Sequence, residues 1–226
     1  MASSLTETLT DFDRRLGLRK MEKESIARQI IEAQLIQPGD KVFIALGTTC
    51  LCIAEALMRQ FSDLHIVTHS TAVTRRYREL WTAGEINSTG LKVEVVRGVV
   101  DPTMAYVKGA RFGSLGTSKL ILSPHAIDEV CIGGYEAAHE LEGLVKLSDH
   151  KEVIITASYE KFGRSYHNTI RHWGFFRADK KWTFVFPDSL ETVEDNVSPF
   201  DWASVEAVVG RIVELGFTWL PGKLPK

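Results

Sequence analysis

Apolar runs of strand length alternate along this chain with segments in which apolar side chains recur at helical spacing. This spacing predicts a first helix over 21–35, which the turn Pro38-Gly39-Asp40 ends. Strands are predicted at 41–46, 64–67, 93–96, 119–122, 153–157 and 182–186, and further helices at 50–60, 72–81, 135–148 and 202–215. Because strands alternate with helices, the pattern indicates an α/β fold with a mainly parallel, three-layer sheet.

Polar residues follow the carboxyl ends of the first three predicted strands. They are Gly47, Thr48 and Thr49 after the first strand, Thr68, His69 and Ser70 after the second, and Arg97 and Gly98 after the third. In an open α/β sheet the ligand crevice lies at these ends. The first N–H groups of a helix have no partner inside it and can bind an anion, and Thr48 or Thr49 can cap the helix. The pattern predicts a phosphate or carboxylate site, with an ordinary strand–turn–helix junction as the alternative.

Composition and charge narrow the classes of partner. The chain has 226 residues, of which 44% are hydrophobic and 25% charged, and its net charge is −2, as in ordinary soluble globular proteins. Arg75, Arg76 and Arg78 share one predicted helix, which is more typical of a solvated surface than of nucleic-acid contact. We therefore expect no direct DNA binding. No apolar run has the length that a membrane span requires, so no membrane contact is expected.

The cysteines bear on the compartment and on metal binding. Cys50, Cys52 and Cys131 are odd in number and lie in apolar patterns, which favours buried, reduced thiols. Segment 1–13 is polar and has no apolar core of a secretory signal, so a cytoplasmic protein is predicted. Cys50-Leu51-Cys52 lacks the spacing of a zinc or redox pair, and neither a metal nor another cofactor is expected.

Several short motifs resemble the C-terminal effector domain of DeoR-type bacterial transcription regulators. They are Ser25-Ile26-Ala27 through Ile36-Gln37-Pro38-Gly39-Asp40, Leu46-Gly47-Thr48-Thr49, Val67-Thr68-His69-Ser70, Val95-Val96-Arg97-Gly98, Ala157-Ser158-Tyr159-Glu160-Lys161-Phe162-Gly163 and Phe186-Pro187-Asp188. The resemblance covers residues 20–221 and implies a fold shared with ribose-5-phosphate isomerase, glucosamine-6-phosphate deaminase and coenzyme A transferases. It also implies a phosphorylated sugar bound at the strand ends. The positions carried over are Gly47, Thr48, Thr49, Thr68, Ser70, Gly98 and Lys161, with Lys161 as a positive charge for the phosphate.

The chain departs from the family pattern at several places. The family's Gly-Ala-Asp-Gly turn is Ser123-Pro124-His125-Ala126 here, and the aspartate of its lysine turn is Ser158. The family's lysine on the preceding helix falls near Gly143, with Lys146 one turn away. The polar segment 1–19 is shorter than a helix-turn-helix requires and has no two-helix pattern. Either the ligand differs from that of the family, or the site has lost its original role.

Enzymatic readings use the same crevice. A sugar-phosphate isomerase needs a general base, for which Asp101 is a candidate, although Asp101 also fits the first position of an Asp-Pro turn. A coenzyme A transferase needs a glutamate nucleophile, for which Glu136 is a candidate, although a first-turn acid at a helix start is the alternative. His69 and His125 are both predicted at strand ends, and with a carboxylate they would suit a metal or proton transfer if they converge. The alternative for each is a satisfied or exposed histidine.

The balance of these observations favours a sensor over an enzyme. We expect a polar N-terminal segment at 1–19 and a Rossmann-like α/β domain of the effector type, with helices on both faces of the sheet, at 20–226. The expected function is that of a sensor or regulatory protein that binds a small phosphorylated or carboxylated metabolite, with a sugar phosphate as the expected ligand. The chain is expected to form a homo-oligomer and to act with a protein partner. A sugar-phosphate isomerase or coenzyme A transferase is the alternative, and an interaction module with a vestigial pocket is the third.

Overall fold

A seven-stranded parallel sheet forms the centre of the fold. The computed structural model describes residues 14–87, 89–101, 106–108, 115–128, 131–133, 150–163, 170–172, 180–188 and 202–222. Its helices are α1 (Lys20–Glu32), α2 (Thr48–Gln60), α3 (Thr71–Thr82) and α4 (Trp202–Glu214), and a 3-10 helix spans Tyr159–Lys161. Its strands are β1 (Lys41–Ile44), β2 (His65–Thr68), β3 (Lys92–Val95), β4 (Val99–Asp101), β5 (Tyr106–Lys108), β6 (Lys119–Leu122), β7 (Ala126–Ile127), β8 (Cys131–Gly133), β9 (Glu152–Thr156), β10 (Ile170–His172), β11 (Lys181–Val185) and β12 (Thr218–Leu220).

The strand order of the main sheet is β12-β11-β9-β6-β1-β2-β3, and every neighbouring pair is parallel. From β1 the chain moves outward to β2 and β3 on one side, while β6, β9, β11 and β12 lie on the other. Because parallel crossovers are right-handed, α2 and α3 cover one face and α4, which connects β11 to β12, covers the opposite face. The predicted α/β sheet with helices on both faces is therefore confirmed.

The central strands are buried on both sides because helices cover both faces of a parallel sheet. Val42, Phe43 and Ile44 of β1 are fully buried, and the same holds for the apolar residues of β9 and β11. The edge strand β3 is mostly exposed. None of the described helices is long and apolar enough to span a membrane.

Smaller elements complete the described structure. Strands β4 and β5 pair antiparallel, with Asp101 opposite Tyr106. Strands β7, β8 and β10 form a three-stranded antiparallel sheet that the hydrophobic pattern did not predict, since these strands are only two or three residues long. The helix predicted over 135–148 lies outside the described residues.

The segment before α1 is fixed by buried charges. Residues 14–17 are helical, and Lys23 donates from Nζ to the carbonyl oxygens of Leu16 and Leu18 at 3.2 and 2.6 Å. Arg19 contacts Glu22 at 2.7 Å, and both side chains are almost fully buried. The end of the segment predicted as a separate polar N-terminal part is thus packed against the sheet domain.

Candidate functional site

The junction between β1 and α2 is a glycine turn. Gly47 takes the N-cap position with φ 133° and ψ 156°, and no side chain caps the helix. The expectation that Thr48 or Thr49 caps α2 is wrong, because Thr48 is already the first helical residue. Backbone bonding inside the helix begins with Leu51 N–H, which donates to the Gly47 carbonyl at 2.9 Å. The preceding N–H groups have no partner within the helix and lie at its positive end.

The conformation of Gly47 yields a stability prediction. Its φ and ψ lie in a backbone region that residues other than glycine rarely adopt, and for them this conformation costs on the order of 1–3 kcal/mol of free energy. We expect Gly47→Ala to lower the free energy of unfolding by this amount, measured by urea denaturation. Gly210→Ala is the matched control, because Gly210 lies inside α4 with open space around it and alanine should stabilise the helix by about 0.5–1 kcal/mol. Equal effects of the two changes would contradict the prediction.

The turn after β2 uses its hydroxyl groups internally. Thr68 is fully buried; its Oγ1 donates to the Ile44 carbonyl at 2.7 Å and accepts from the Ser70 N–H at 3.0 Å. Ser70 is buried at the N-cap position of α3. In this structure the Thr68 hydroxyl therefore fixes the turn beside β1.

His69 also fixes the first turn. Its Nε2 accepts a hydrogen bond from the Leu46 N–H at 3.0 Å, and its ring packs 5.4 Å from the ring of Phe43. Burial lowers the pKa of His69 to about 4, so the ring is neutral at pH 7. A neutral ring is what an acceptor at Nε2 requires, and His69 thus holds the backbone immediately before Gly47 in place.

Lys161 and Ser123 meet at the carboxyl ends of the central strands. Lys161 Nζ donates to Ser123 Oγ at 2.8 Å, although the two residues are 38 positions apart. A Cβ atom placed on Gly47 would lie 3.9 Å from the Cβ of Ser123. The turns after β1, β6 and β9 therefore converge, and this convergence brings Lys161 to the N-terminal end of α2. We call Gly47, Thr48, Thr49, Ser123 and Lys161 the Lys161 site.

The ammonium group of Lys161 is partly desolvated. Burial lowers the pKa of Lys161 to about 8; Lys23 and Arg15 lower it further, while Cys50 and Glu160 oppose the shift. In the described part of the chain no carboxylate lies within ion-pair distance of Nζ, and Ser123 Oγ is its hydrogen-bond partner. A cation in this position without a counter-charge favours the binding of an anion.

The 3-10 helix that carries Lys161 is firmly anchored. The hydroxyl of buried Tyr159 donates to the Pro187 carbonyl at 2.9 Å, and its ring packs against Phe162 and Trp202 at centroid distances of 5.7 and 5.6 Å. Glu160, next to Lys161, contacts Arg19 at 2.7 Å. The segment before α1 is thereby linked to the loop that positions Lys161.

His125 lies in the same region. It is half-buried, and burial together with the positive charges of Lys161 and Arg15 lowers the pKa of His125 to about 3. His69 and His125 are therefore both neutral at pH 7. Among the described residues no three His, Cys, Asp or Glu side chains are grouped so that they could hold a metal ion.

The other site residues predicted from the sequence lie away from Lys161 or outside the described residues. Arg97 and Gly98 are exposed after the edge strand β3, which is four strand spacings, about 19 Å, from β9. Asp101 belongs to β4, but only its backbone is described. Glu136 lies outside the described residues. The structure thus brings Lys161 together with the Gly47 turn and not with the Arg97 turn.

Sequence reasoning did not select Ser123 as a binding residue. It was noted only as a departure from the family's turn, yet it directly follows a predicted strand, as the selected residues do. Its place at the end of a strand could therefore have identified Ser123 as a candidate binding residue. Cys50 and Cys52 are thiols outside any disulfide bond; Cys50 is buried, as predicted, whereas Cys52 is only partly buried.

Comparisons with known proteins agree with this architecture. A family model described as the DeoR C terminal sensor domain matches residues 19–177, more than half of the chain. No curated protein sequence matches the chain significantly.

Solved structures with a similar fold include eIF2B delta from Chaetomium thermophilum, with 14% identity, coverage of 76% of this chain and 59% of that chain, and a TM-score of 0.49. The translation initiation factor eIF-2B from Pyrococcus horikoshii OT3 has 20% identity, coverage of 68% and 51%, and a TM-score of 0.44. Ribose 5-phosphate isomerase from Plasmodium falciparum has 13% identity, coverage of 62% and 51%, and a TM-score of 0.40. The chain spans between one half and three fifths of these three proteins.

Proposed function

The chain belongs to the family of DeoR C-terminal sensor domains, and we propose that its effector is a small phosphorylated metabolite, a sugar phosphate, bound at the Lys161 site. Membership of a sensor-domain family supports a regulatory, effector-binding role. The observation that carries the phosphate is the contact of Lys161 with Ser123 beside the N-terminal end of α2. That the ligand contains a sugar is inferred from the resemblance of the Gly47 and Lys161 turns to those of the family.

Charge complementarity supports an anion at this site. The ammonium of Lys161 and the N-terminal end of α2 both favour negative charge, and they converge on one position. A phosphate there would accept hydrogen bonds from backbone N–H groups of α2, from hydroxyl groups and from Nζ. Its negative charge would also restore the pKa of Lys161 toward the ordinary value, because an opposite charge favours the ammonium form.

The other residues that the sequence selected fall into two groups, those that can contact the ligand and those that support the turns around it. Thr48 is half-buried at the first position of α2, where its hydroxyl can contact a ligand, while Thr49 is buried behind it. Thr68, His69 and Ser70 shape the neighbouring turns through the hydrogen bonds described above. In this proposal they support the site from the interior. Arg97 and Gly98 follow β3, two strand spacings or about 10 Å from β1, and the proposed phosphate contacts do not include them.

A titration of ligand affinity tests the proposal. We expect Lys161→Met to weaken sugar-phosphate binding about 10–100-fold, because a hydrogen bond to a charged group contributes about 1.5–3 kcal/mol. Thr48→Ala is expected to weaken it about tenfold. The measurement is isothermal titration calorimetry with a panel of sugar phosphates, sugar acids and inorganic phosphate.

Lys181→Met is the matched control. Lys181 is an exposed lysine at the amino-terminal start of β11, away from the carboxyl ends of the strands, and its loss should leave affinity unchanged. Wild-type affinity in Lys161→Met would remove the phosphate site from the proposal. We also propose that the chain acts in the cytoplasm as a homo-oligomer. Sedimentation of the protein with and without the sugar phosphate would measure its oligomeric state.

A further inference from the structure

Ser123 and Lys161 form a hydroxyl–amine pair whose geometry suits more than ligand binding. Their polar atoms are 2.8 Å apart, within the range of a nucleophile and its general base. Ser123 is 9% exposed and follows β6 directly. Gly47 marks the N-terminal end of α2, and a Cβ atom placed on it would lie 3.9 Å from the Cβ of Ser123. A nucleophile, a base and a group of backbone donors therefore lie together.

We propose that Ser123 is an acyl-accepting nucleophile toward small carboxylic esters, with Lys161 as its general base and the N-terminal end of α2 as the site that stabilises the oxyanion. This reaction goes beyond the binding of a phosphorylated effector, although it uses the same site. It belongs to the class of serine–lysine acyl transfer.

The chemistry balances with an ester and water as the co-reactants. The Ser123 oxygen attacks the carbonyl carbon of the ester, and its proton passes to the neutral Lys161 amine. The tetrahedral intermediate expels the alcohol, which takes that proton from Nζ, and an acyl-Ser123 remains. Water, deprotonated by Lys161, then attacks the acyl group; the carboxylic acid leaves and the serine hydroxyl takes the proton back. The negative oxygen of both intermediates would accept hydrogen bonds from the first N–H groups of α2.

The partner of Lys161 differs from those of Lys119 and Lys180, two other lysines with little exposure. Lys119 contacts the Asp40 carboxylate at 2.7 Å, and Lys180 donates to the His150 carbonyl at 2.7 Å. Lys161 instead contacts a neutral hydroxyl and has no carboxylate within ion-pair distance in the described residues. Burial also lowers its pKa to about 8, so a fraction of the amine is neutral near pH 7. Only the neutral amine can accept the serine proton.

The anchoring of both segments holds Lys161 and Ser123 in contact. Its own 3-10 helix is held by Tyr159, and Ser123 is held at the end of a buried strand. Neither residue needs a large rearrangement to keep the contact. A general base positioned in this way contributes about 10²–10⁴-fold to the rate of proton transfer.

A fluorophosphonate probe tests the proposal on the full chain. Attack by Ser123 would form a serine–phosphorus bond and release fluoride, and peptide mass spectrometry would locate the label. We expect labelling of Ser123 whose rate rises with pH through about 8, as Lys161 loses its proton. Hydrolysis of p-nitrophenyl acetate, followed by release of p-nitrophenol, should show the same pH profile.

Two variants separate this proposal from the binding of an effector. Lys161→Arg retains the positive charge but offers no base, so labelling should fall at least about 100-fold while phosphate binding, read by calorimetry, is largely kept. Ser118→Ala is the matched control, since Ser118 is an exposed serine just before the opposite end of β6. It should label as the wild type does.

Each result decides the proposal. Absence of label on Ser123 in the folded wild type, or equal rates in Lys161→Arg, would overturn it. If Lys161→Arg does not fold, the wild-type profile decides alone, because a rate that stays constant between pH 7 and 9 would exclude Lys161 as the base. Loss of phosphate binding with intact labelling would overturn the proposed effector and leave the acyl transfer standing.

Discussion

Replacing Arg19 by methionine is expected to lower the free energy of unfolding by about 3–5 kcal/mol, because it removes the guanidinium from a buried ion pair and leaves the Glu22 carboxylate buried. Arg19 Nη1 lies 2.7 Å from Glu22 Oε1, and the two side chains are 3% and 0% exposed. Arg19 also adopts the left-handed conformation, but methionine has the same backbone restrictions, so the change isolates the charge. Urea denaturation followed by circular dichroism measures the effect.

Lys20→Met is the matched control for this prediction. Lys20 is the next residue and pairs with Glu24 at 3.6 Å, yet both of these side chains are more than half exposed. Exposed pairs contribute about 0–1 kcal/mol, so this change should alter stability little. In the double variant Arg19→Met with Glu22→Leu, part of the loss should be recovered, because the buried carboxylate is replaced by an apolar side chain of similar size. A single variant Arg19→Met as stable as the wild type would show that Glu22 does not depend on Arg19.

Arg19→Met should also alter the position of the segment that carries Lys161. Arg19 holds Glu160 through a second contact of 2.7 Å, and Glu160 precedes Lys161 in the 3-10 helix. Loss of this contact frees the loop on one side, while Tyr159 still anchors it on the other. The Arg19–Glu160 contact therefore joins the segment before α1 to the 3-10 helix that carries Lys161.

Replacing His69 by glutamine is expected to make the protein markedly less sensitive to acid. In the folded chain burial holds the pKa of His69 at about 4, against about 6.5 when the ring is exposed. Below pH 6.5 the unfolded state therefore binds a proton that the folded state does not, and stability falls until pH 4. Since one pKa unit corresponds to about 1.36 kcal/mol, His69 accounts for a loss of about 3 kcal/mol between these values.

Glutamine can still accept from the Leu46 N–H but does not titrate. Urea denaturation at pH 7, 6, 5 and 4 should thus show a drop that is smaller by about 3 kcal/mol in His69→Gln. His125 and the carboxylates contribute to wild type and variant alike. His65→Gln is the matched control, because His65 starts the same strand with a side chain 29% exposed, beside Glu94. Identical pH profiles for wild type and His69→Gln would contradict the assignment.

Several features of this protein followed from local sequence. Apolar runs marked β1, β2, β6, β9 and β11, because a strand that is buried on both faces needs consecutive apolar residues. The same runs alternate with helical periodicity, which indicated the parallel α/β fold. The short motifs at Gly47 and Lys161 pointed to the sensor-domain family, whose model matches residues 19–177. Each of these signals spans only a few consecutive residues, so it can be recognised without knowledge of distant contacts.

The composition of the candidate site was decided by the tertiary structure. The strand order places β6 between β1 and β9, so Ser123 lies between the Gly47 turn and Lys161, whereas β3 at the edge carries Arg97 away. The Thr68 hydroxyl turns inward to Ile44, although its place in the sequence suits a ligand contact equally well. The sequence alone determined which turns were polar and, to within two residues, where β1, β2, β3, β6, β9 and β11 ended. Which turns meet depended on pairing between strands far apart in the chain, and those long-range contacts leave no local pattern.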